Sequence, residues 1–114
     1  MAPFEVPTVT VDQVPDDALF LDVREEHEWQ AGHITGAVHL PMNSVPAAVS
    51  GDQSPLLLDV PIVVVCAVGG RSGQVTAWLV EHGFQASNLA GGMHAWADAG
   101  RALITETGAA PRVL

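Results

Sequence analysis

The single cysteine of this chain, Cys66, stands between an apolar segment and a short loop of suggestive composition, Ala67–Val68–Gly69–Gly70–Arg71–Ser72. A cysteine reacts as its thiolate, and an ordinary thiol, with a pKa near ~8.5, is mostly protonated at neutral pH. Glycines let a loop curl so that its N–H groups converge on one point. A helix that begins near Ser72 would add the positive end of its dipole, and Arg71 a full charge. We therefore predict a thiolate at Cys66, stabilised mainly by backbone amides.

A buried structural cysteine is the alternative, because a lone cysteine most often packs as a small apolar residue. Its position favours chemistry. Cys66 leaves an apolar β-branched run and precedes two glycines, an arginine and a helix start. Reactive thiols need this kind of electropositive setting, so we interpret the loop as functional.

The composition excludes several classes of function. The formal net charge is −9, and the four basic residues are all arginines, so the clustered cations that bind nucleic acids are missing. Without lysine, Schiff-base chemistry and lysine-dependent phosphate loops are excluded. One cysteine forms neither an internal disulfide nor a multi-thiolate metal site. The histidines lack the spacing of a zinc site, so we expect neither metal nor cofactor. The histidines are His27, His33, His39, His82 and His94.

We expect neither a signal peptide nor a membrane-spanning segment in this sequence. The first five residues lack the basic and apolar regions of a signal peptide. The longest apolar run, Val60 to Val68, contains a proline and is too short to span a bilayer. A free cysteine suits a reducing compartment, so we expect a cytoplasmic protein that binds no membrane.

Short apolar strands alternate with short helices along the chain, which predicts a single α/β domain with a small, doubly wound parallel sheet. Strands are predicted over 9–11, 19–23, 37–40, 62–65 and 87–89, and helices over 24–30, 44–49, 72–82 and 93–99. The domain core should span about 9–104, with a loose C-terminal tail over 105–114. In such folds ligands bind at the carboxyl ends of the strands, where Cys66 lies.

The same sheet edge should carry Asp22 and Arg24, which follow the second predicted strand. We expect them to form an ion pair that supports the loop rather than to react. Glu28 should lie on a solvated helix face. For Arg71 two roles stay open, since a guanidinium can bind a donor anion or fix the loop.

The loop resembles the active-site loop Cys-x-x-Gly-x-Arg-Ser of single-domain rhodaneses. Three further elements, in the same order as in that family, are similar to its Asp-Val-Arg, Gly-His-Ile-x-Gly-Ala and Gly-Gly-Met-x-Ala-Trp signatures. They are Asp22–Val23–Arg24, Gly32–His33–Ile34–Thr35–Gly36–Ala37 and Gly91–Gly92–Met93–His94–Ala95–Trp96. Together the four elements cover the chain from about Val9 to Ile104.

The resemblance implies a rhodanese-like fold and sulfurtransferase chemistry. In that family the cysteine, here Cys66, takes a sulfane sulfur from a donor such as thiosulfate and holds it as a persulfide. The sulfur then passes to cyanide or a thiol. Because this chain has no second cysteine, a thiol acceptor must be a separate small molecule or protein. The apolar Ala67 and Val68 attract a dianion weakly, so we expect thiosulfate to be a poor donor and a persulfide a better one.

Two alternatives remain open at this stage. Cysteine-dependent phosphatases carry five residues between Cys and Arg, whereas four separate Cys66 from Arg71 here, so a phosphatase or arsenate reductase is disfavoured. A rhodanese-like module used only for binding or regulation commonly lacks the cysteine, and this chain retains it.

Overall fold

Five parallel strands form the centre of the protein, a computed structural model of which describes residues 5–114. The sheet order is β1-β5-β4-β2-β3. The bounds are β1 Thr8–Val9, β2 Leu19–Asp22, β3 Val38–His39, β4 Ile62–Val65 and β5 Ala86–Leu89. Strand β4 is central and all four of its residues are buried, because β-branched side chains fill both faces of a covered parallel sheet. The predicted fold class and the strand over 62–65 are confirmed.

Two cores lie on opposite faces of the sheet, as the alternation along β4 requires. Ile62, Val64 and Cys66 point into one core, and Val63 and Val65 point into the other. The helices that cover the sheet are α1 Glu26–Ala31, α2 Val45–Val49, α3 Gly70–Glu81 and α4 Gly92–Asp98. Short 3-10 helices span Val11–Gln13 and Met42–Ser44. No helix within residues 5–114 is long and apolar enough to cross a membrane.

The three tryptophans differ in burial. Trp96 is buried in the second core, but Trp29 and Trp78 are only half-buried. Trp29 is sandwiched between the rings of His33 and His39, with centroid distances of 3.5 and 4.7 Å. This stack fixes α1 against the end of β3.

The C-terminal segment contacts the domain at several points, which the prediction of a loose tail over 105–114 did not include. Ile104 pairs antiparallel with His33, and the amide of Arg112 donates to the carbonyl of Ala31 at 2.8 Å. The backbone of Arg112 passes so close to Gly32 that an added Cβ would lie 2.6 Å from its carbonyl oxygen. These backbone contacts carry no hydrophobic period, which is why the sequence pattern did not reveal them.

Helix α4 is docked on the end of β4 by main-chain hydrogen bonds. The amide of Met93 donates to the carbonyl of Cys66 at 2.8 Å, and that of His94 to the carbonyl of Ala67 at 3.1 Å. Gly92 permits this approach, because a Cβ there would lie 2.4 Å from the Cys66 oxygen and 2.7 Å from the Ala67 oxygen. The cysteine loop is therefore held from behind by α4.

We predict that Gly92→Ala costs about 2–5 kcal/mol of unfolding free energy, measured by urea titration. The left-handed φ of +59° contributes roughly 1–2 kcal/mol, and overpacking against the two carbonyls contributes about 1–3 kcal/mol more. Gly100→Ala is the matched control, because its φ of +75° is also left-handed but nothing lies within 4 Å of its Cβ position. Equal losses in the two variants would contradict a steric role for Gly92.

Candidate active site

The sulfur of Cys66 lies at the carboxyl end of β4, and the loop that follows curls back over it. The amide of Gly69 donates to Sγ at 3.0 Å. Gly69 has a φ of +115°, a left-handed conformation that glycine adopts without the steric cost of a Cβ. Cys66 is 1% exposed, so the curled loop encloses a buried sulfur.

Ser72 provides a second donor to the same sulfur. It lies in the first turn of α3, is fully buried, and its hydroxyl oxygen is 3.2 Å from Cys66 Sγ. Burial raises the pKa of the Cys66 thiol, but the Ser72 hydroxyl and the amides of Ser72, Gly69 and Val68 lower it by more. The net pKa is therefore below the ordinary value. The largest of the causes that lower it is the Ser72 hydroxyl, a side chain, whereas the sequence analysis predicted mainly backbone amides.

Arg71 and Glu28 form a bidentate ion pair between α3 and α1. The guanidinium donates to the two carboxylate oxygens at 2.7 and 2.9 Å. Hydrogen bonding from Arg71 lowers the pKa of Glu28 to about 2, and the carboxylate in turn raises the pKa of Arg71. Of the two roles left open for Arg71, this geometry favours fixing the loop. The prediction that Glu28 lies on a solvated face is wrong, because its side chain turns inward to meet this cation.

Asp22 and Arg24 form the ion pair expected of them, and both are fully buried. The guanidinium donates to both Asp22 oxygens at 2.8–3.1 Å and to the carbonyl of Gly32 at 2.8 Å. The pair thus joins the end of β2 to the residue that follows α1. It supports the edge of the sheet, and its charges compensate each other.

Asn88 on β5 is the site residue that the sequence analysis missed. Its Nδ2 donates to the carbonyl of Gly69 at 3.1 Å, and its Oδ1 accepts from the Ser72 hydroxyl. Asn88 came from a predicted strand, but only the strand order shows that β5 is the neighbour of β4. A polar amide in a short strand just before Gly91–Gly92 was the available signal.

The outer side of the loop is apolar. Val68 is 67% exposed, and Ala67 is half-buried. Within residues 5–114 no group of three or more His, Cys, Asp or Glu side chains could hold a metal ion. The arrangement can hold an anionic sulfur by hydrogen bonds, with little positive charge toward solvent.

We predict that Glu28→Gln lowers the unfolding free energy at neutral pH by about 1–2 kcal/mol, a range reduced because Arg71 is one-third exposed. The folded pKa of about 2 lies below the ordinary 4.5, so the stabilisation is complete above pH 4.5 and is lost as the pH falls through about 2. The gap between wild type and variant should therefore narrow over that window in urea titrations.

The control is Glu81→Gln, which removes the same charge from an exposed position at the far end of α3. Its unfolding free energy should follow the wild type throughout. A wild-type advantage over Glu28→Gln that stays constant down to the acid limit would contradict the assigned ion pair.

Comparisons with known proteins agree with this geometry. The model of the rhodanese-like domain matches residues 10–99. A sulfurtransferase of Allochromatium vinosum is 34% identical over 94 residues, which cover 82% of this chain and 84% of that protein. The thiosulfate sulfurtransferase GlpE of Pseudomonas putida (strain GB-1) is 38% identical over 82 residues, 71% of either chain. The structure of a rhodanese-like domain protein from Staphylococcus aureus, 30% identical, superposes with a TM-score of 0.74 over 88% of this chain and 98% of that one. The matched residues 10–99 include β2 to β5 and the cysteine loop, and the chain belongs to the rhodanese-like domain family.

Proposed function

We propose that this protein is a sulfurtransferase that carries a sulfane sulfur on Cys66 as a persulfide. The observation that carries the proposal is the environment of the sulfur. The only cysteine of the chain accepts hydrogen bonds from the Gly69 amide and the Ser72 hydroxyl within a loop typical of the family. Donors fixed in advance around a buried anion are what a nucleophilic sulfur requires.

The reaction takes place in two displacements at sulfur. The Cys66 thiolate attacks the outer sulfur of the donor and forms an S–S bond, and the donor's own S–S bond breaks. With thiosulfate the leaving group is sulfite, which departs with the electron pair. A thiolate or cyanide then attacks the outer sulfur of the persulfide, and Cys66 leaves as a thiolate. Both enzyme forms are anionic, so the same loop amides stabilise each of them.

The charges around the loop favour a persulfide over thiosulfate as the donor. Ala67 and Val68 contribute no cation, and the guanidinium of Arg71 is neutralised by Glu28. The chain as a whole carries a formal charge of −9, which repels a dianion. Thiosulfate, named in the Pseudomonas putida relative, is therefore proposed here as the weaker donor.

A phosphatase is disfavoured by the same ion pair. Cysteine-dependent phosphoryl transfer needs an arginine free to hold the phosphate oxygens, and Arg71 uses its fork on Glu28. The loop is also one residue shorter than the phosphatase spacing, with four residues between Cys66 and Arg71.

The first test is intact mass spectrometry after incubation with cysteine persulfide or thiosulfate. We expect the wild type to gain one sulfur atom, which cyanide removes, and Cys66→Ser to gain none. A wild type that takes up no sulfur from either donor would identify a binding module instead. Hydrolysis of an aryl phosphate by the wild type, lost in Cys66→Ser, would establish phosphatase chemistry and overturn the proposal.

The second test concerns the donor. We predict that Val68→Arg raises kcat/KM for thiosulfate on the order of tenfold, because an exposed cation on the loop attracts the dianion. Cysteine persulfide, whose own ammonium group offsets part of its charge, should gain much less. The effect on thiosulfate should shrink as salt is added.

Leu58→Arg is the matched control for this donor test. Leu58 is 59% exposed, but it lies near Gly83 and Gln85, which precede β5. It therefore lies at the amino ends of the strands, whereas Cys66 lies at their carboxyl ends. The overall charge change is the same, so this variant should leave kcat/KM for thiosulfate close to wild type. A wild type that already uses thiosulfate more efficiently than cysteine persulfide would refute the donor assignment.

A further inference from the structure

The hydroxyl of Ser72 faces two acceptors but has only one proton to donate. Its oxygen is 3.2 Å from Cys66 Sγ and 2.5 Å from Asn88 Oδ1. The orientation of the Asn88 amide is determined by its other contact, because Nδ2 must donate to the carbonyl of Gly69 at 3.1 Å. Reversing the amide would place Oδ1 against that carbonyl oxygen, so Oδ1 faces Ser72.

The two protonation states of Cys66 therefore use Ser72 differently. When the sulfur is a thiol, its S–H donates to Ser72 Oγ while the Ser72 hydroxyl donates to Asn88, and every group is satisfied. When the sulfur is a thiolate, the hydroxyl must turn toward sulfur and Asn88 Oδ1 loses its donor. The competition for the Ser72 proton therefore favours the thiol and weakens the stabilisation of the thiolate.

We propose that Asn88 is a positioning residue, which competes with the Cys66 sulfur for the single Ser72 proton and so sets how strongly Ser72 donates to the anion. It acts through Ser72 and need not contact the transferred sulfur. This inference deepens the proposed function, because a thiolate held less firmly by hydrogen bonds is the better nucleophile at a given concentration.

The charged groups on the elements around the loop must be considered as other causes of a shift in the thiol titration. They are Asp22 and Arg24 after β2, Glu25 and Glu28 at α1, Arg71 on α3 and His94 on α4. Asp22 is paired with Arg24, Glu28 with Arg71, and the His94 ring with the Leu114 carbonyl. None of these groups is changed by substituting Asn88, so they do not account for a change in the thiol titration.

The test is the pH dependence of iodoacetamide alkylation of the intact protein, in which Cys66 is the only thiol. The chain has no tyrosine, so ultraviolet absorbance of the thiolate gives a second titration free of tyrosinate. We expect the midpoint to fall by about one to two pH units in Asn88→Ala, since a hydrogen bond to a charged group shifts a titration by about that much. Ser72→Ala should raise the midpoint.

The double variant separates competition from simple loop support. In the Ser72→Ala background there is no proton to contest, so adding Asn88→Ala should not lower the midpoint. If Asn88 only braced the loop through Gly69, its loss would disorder the Gly69 amide and raise the midpoint in both backgrounds. A midpoint that is unchanged or raised in Asn88→Ala, or an equal shift in both backgrounds, would overturn the proposal.

Asn88→Asp keeps the test decisive if the alanine variant fails to fold, as judged by circular dichroism. A carboxylate accepts the Ser72 proton more strongly, so the midpoint should rise further in the Ser72 background than in the Ser72→Ala background. Equal rises would contradict the competition. The titration needs no turnover, so the two proposals are tested independently. A titration that contradicts the role of Asn88 says nothing about sulfur uptake, and a protein that takes up no sulfur can still be titrated.

Discussion

The structure depends on hydrogen bonding to a sulfur that has been removed from water. Cys66 is 1% exposed, and burial alone would keep its thiol protonated. The Ser72 hydroxyl and the loop amides offset that penalty. Much of the surrounding architecture serves to keep these donors in place. Gly69 turns the chain back, α3 begins where Ser72 is needed, and α4 holds the Cys66 and Ala67 carbonyls from behind.

The ion pairs around the site hold its elements together but add little net positive charge near the sulfur. Arg24 is occupied by Asp22 and Arg71 by Glu28, so the two cations at this edge are each matched by a carboxylate. An anionic sulfur is therefore stabilised here by the neutral dipoles of the loop amides and the Ser72 hydroxyl, not by a free cation. A site built in this way suits the proposed sulfur transfer, in which the two enzyme forms, thiolate and persulfide, carry the same charge.

The C-terminal segment extends this support to α1. Arg112 binds the carbonyl of Ala31, and Glu106 lies 2.9 Å from the ring of His33. His33 stacks on Trp29, which lies on the same helix as Glu28. A chain of contacts thus runs from the last residues through α1 to Arg71 and the loop. The C-terminal segment therefore helps to hold α1, whose Glu28 in turn holds Arg71 on α3.

The amino-acid sequence by itself indicated the fold class, the central strand and the position of the cysteine loop that follows it. Period-two and helical patterns, glycine positions and residue counts are local properties, which is why the strand over 62–65 and the Asp22–Arg24 pair could be predicted. Tertiary structure alone decided where Glu28 points, how the residues after Ile104 pack, and that Asn88 reaches Ser72. Each of these depends on which elements become neighbours: α1 beside α3, the tail beside α1, and β5 beside β4. Polar contacts across such boundaries follow no sequence period, so only the folded chain reveals them.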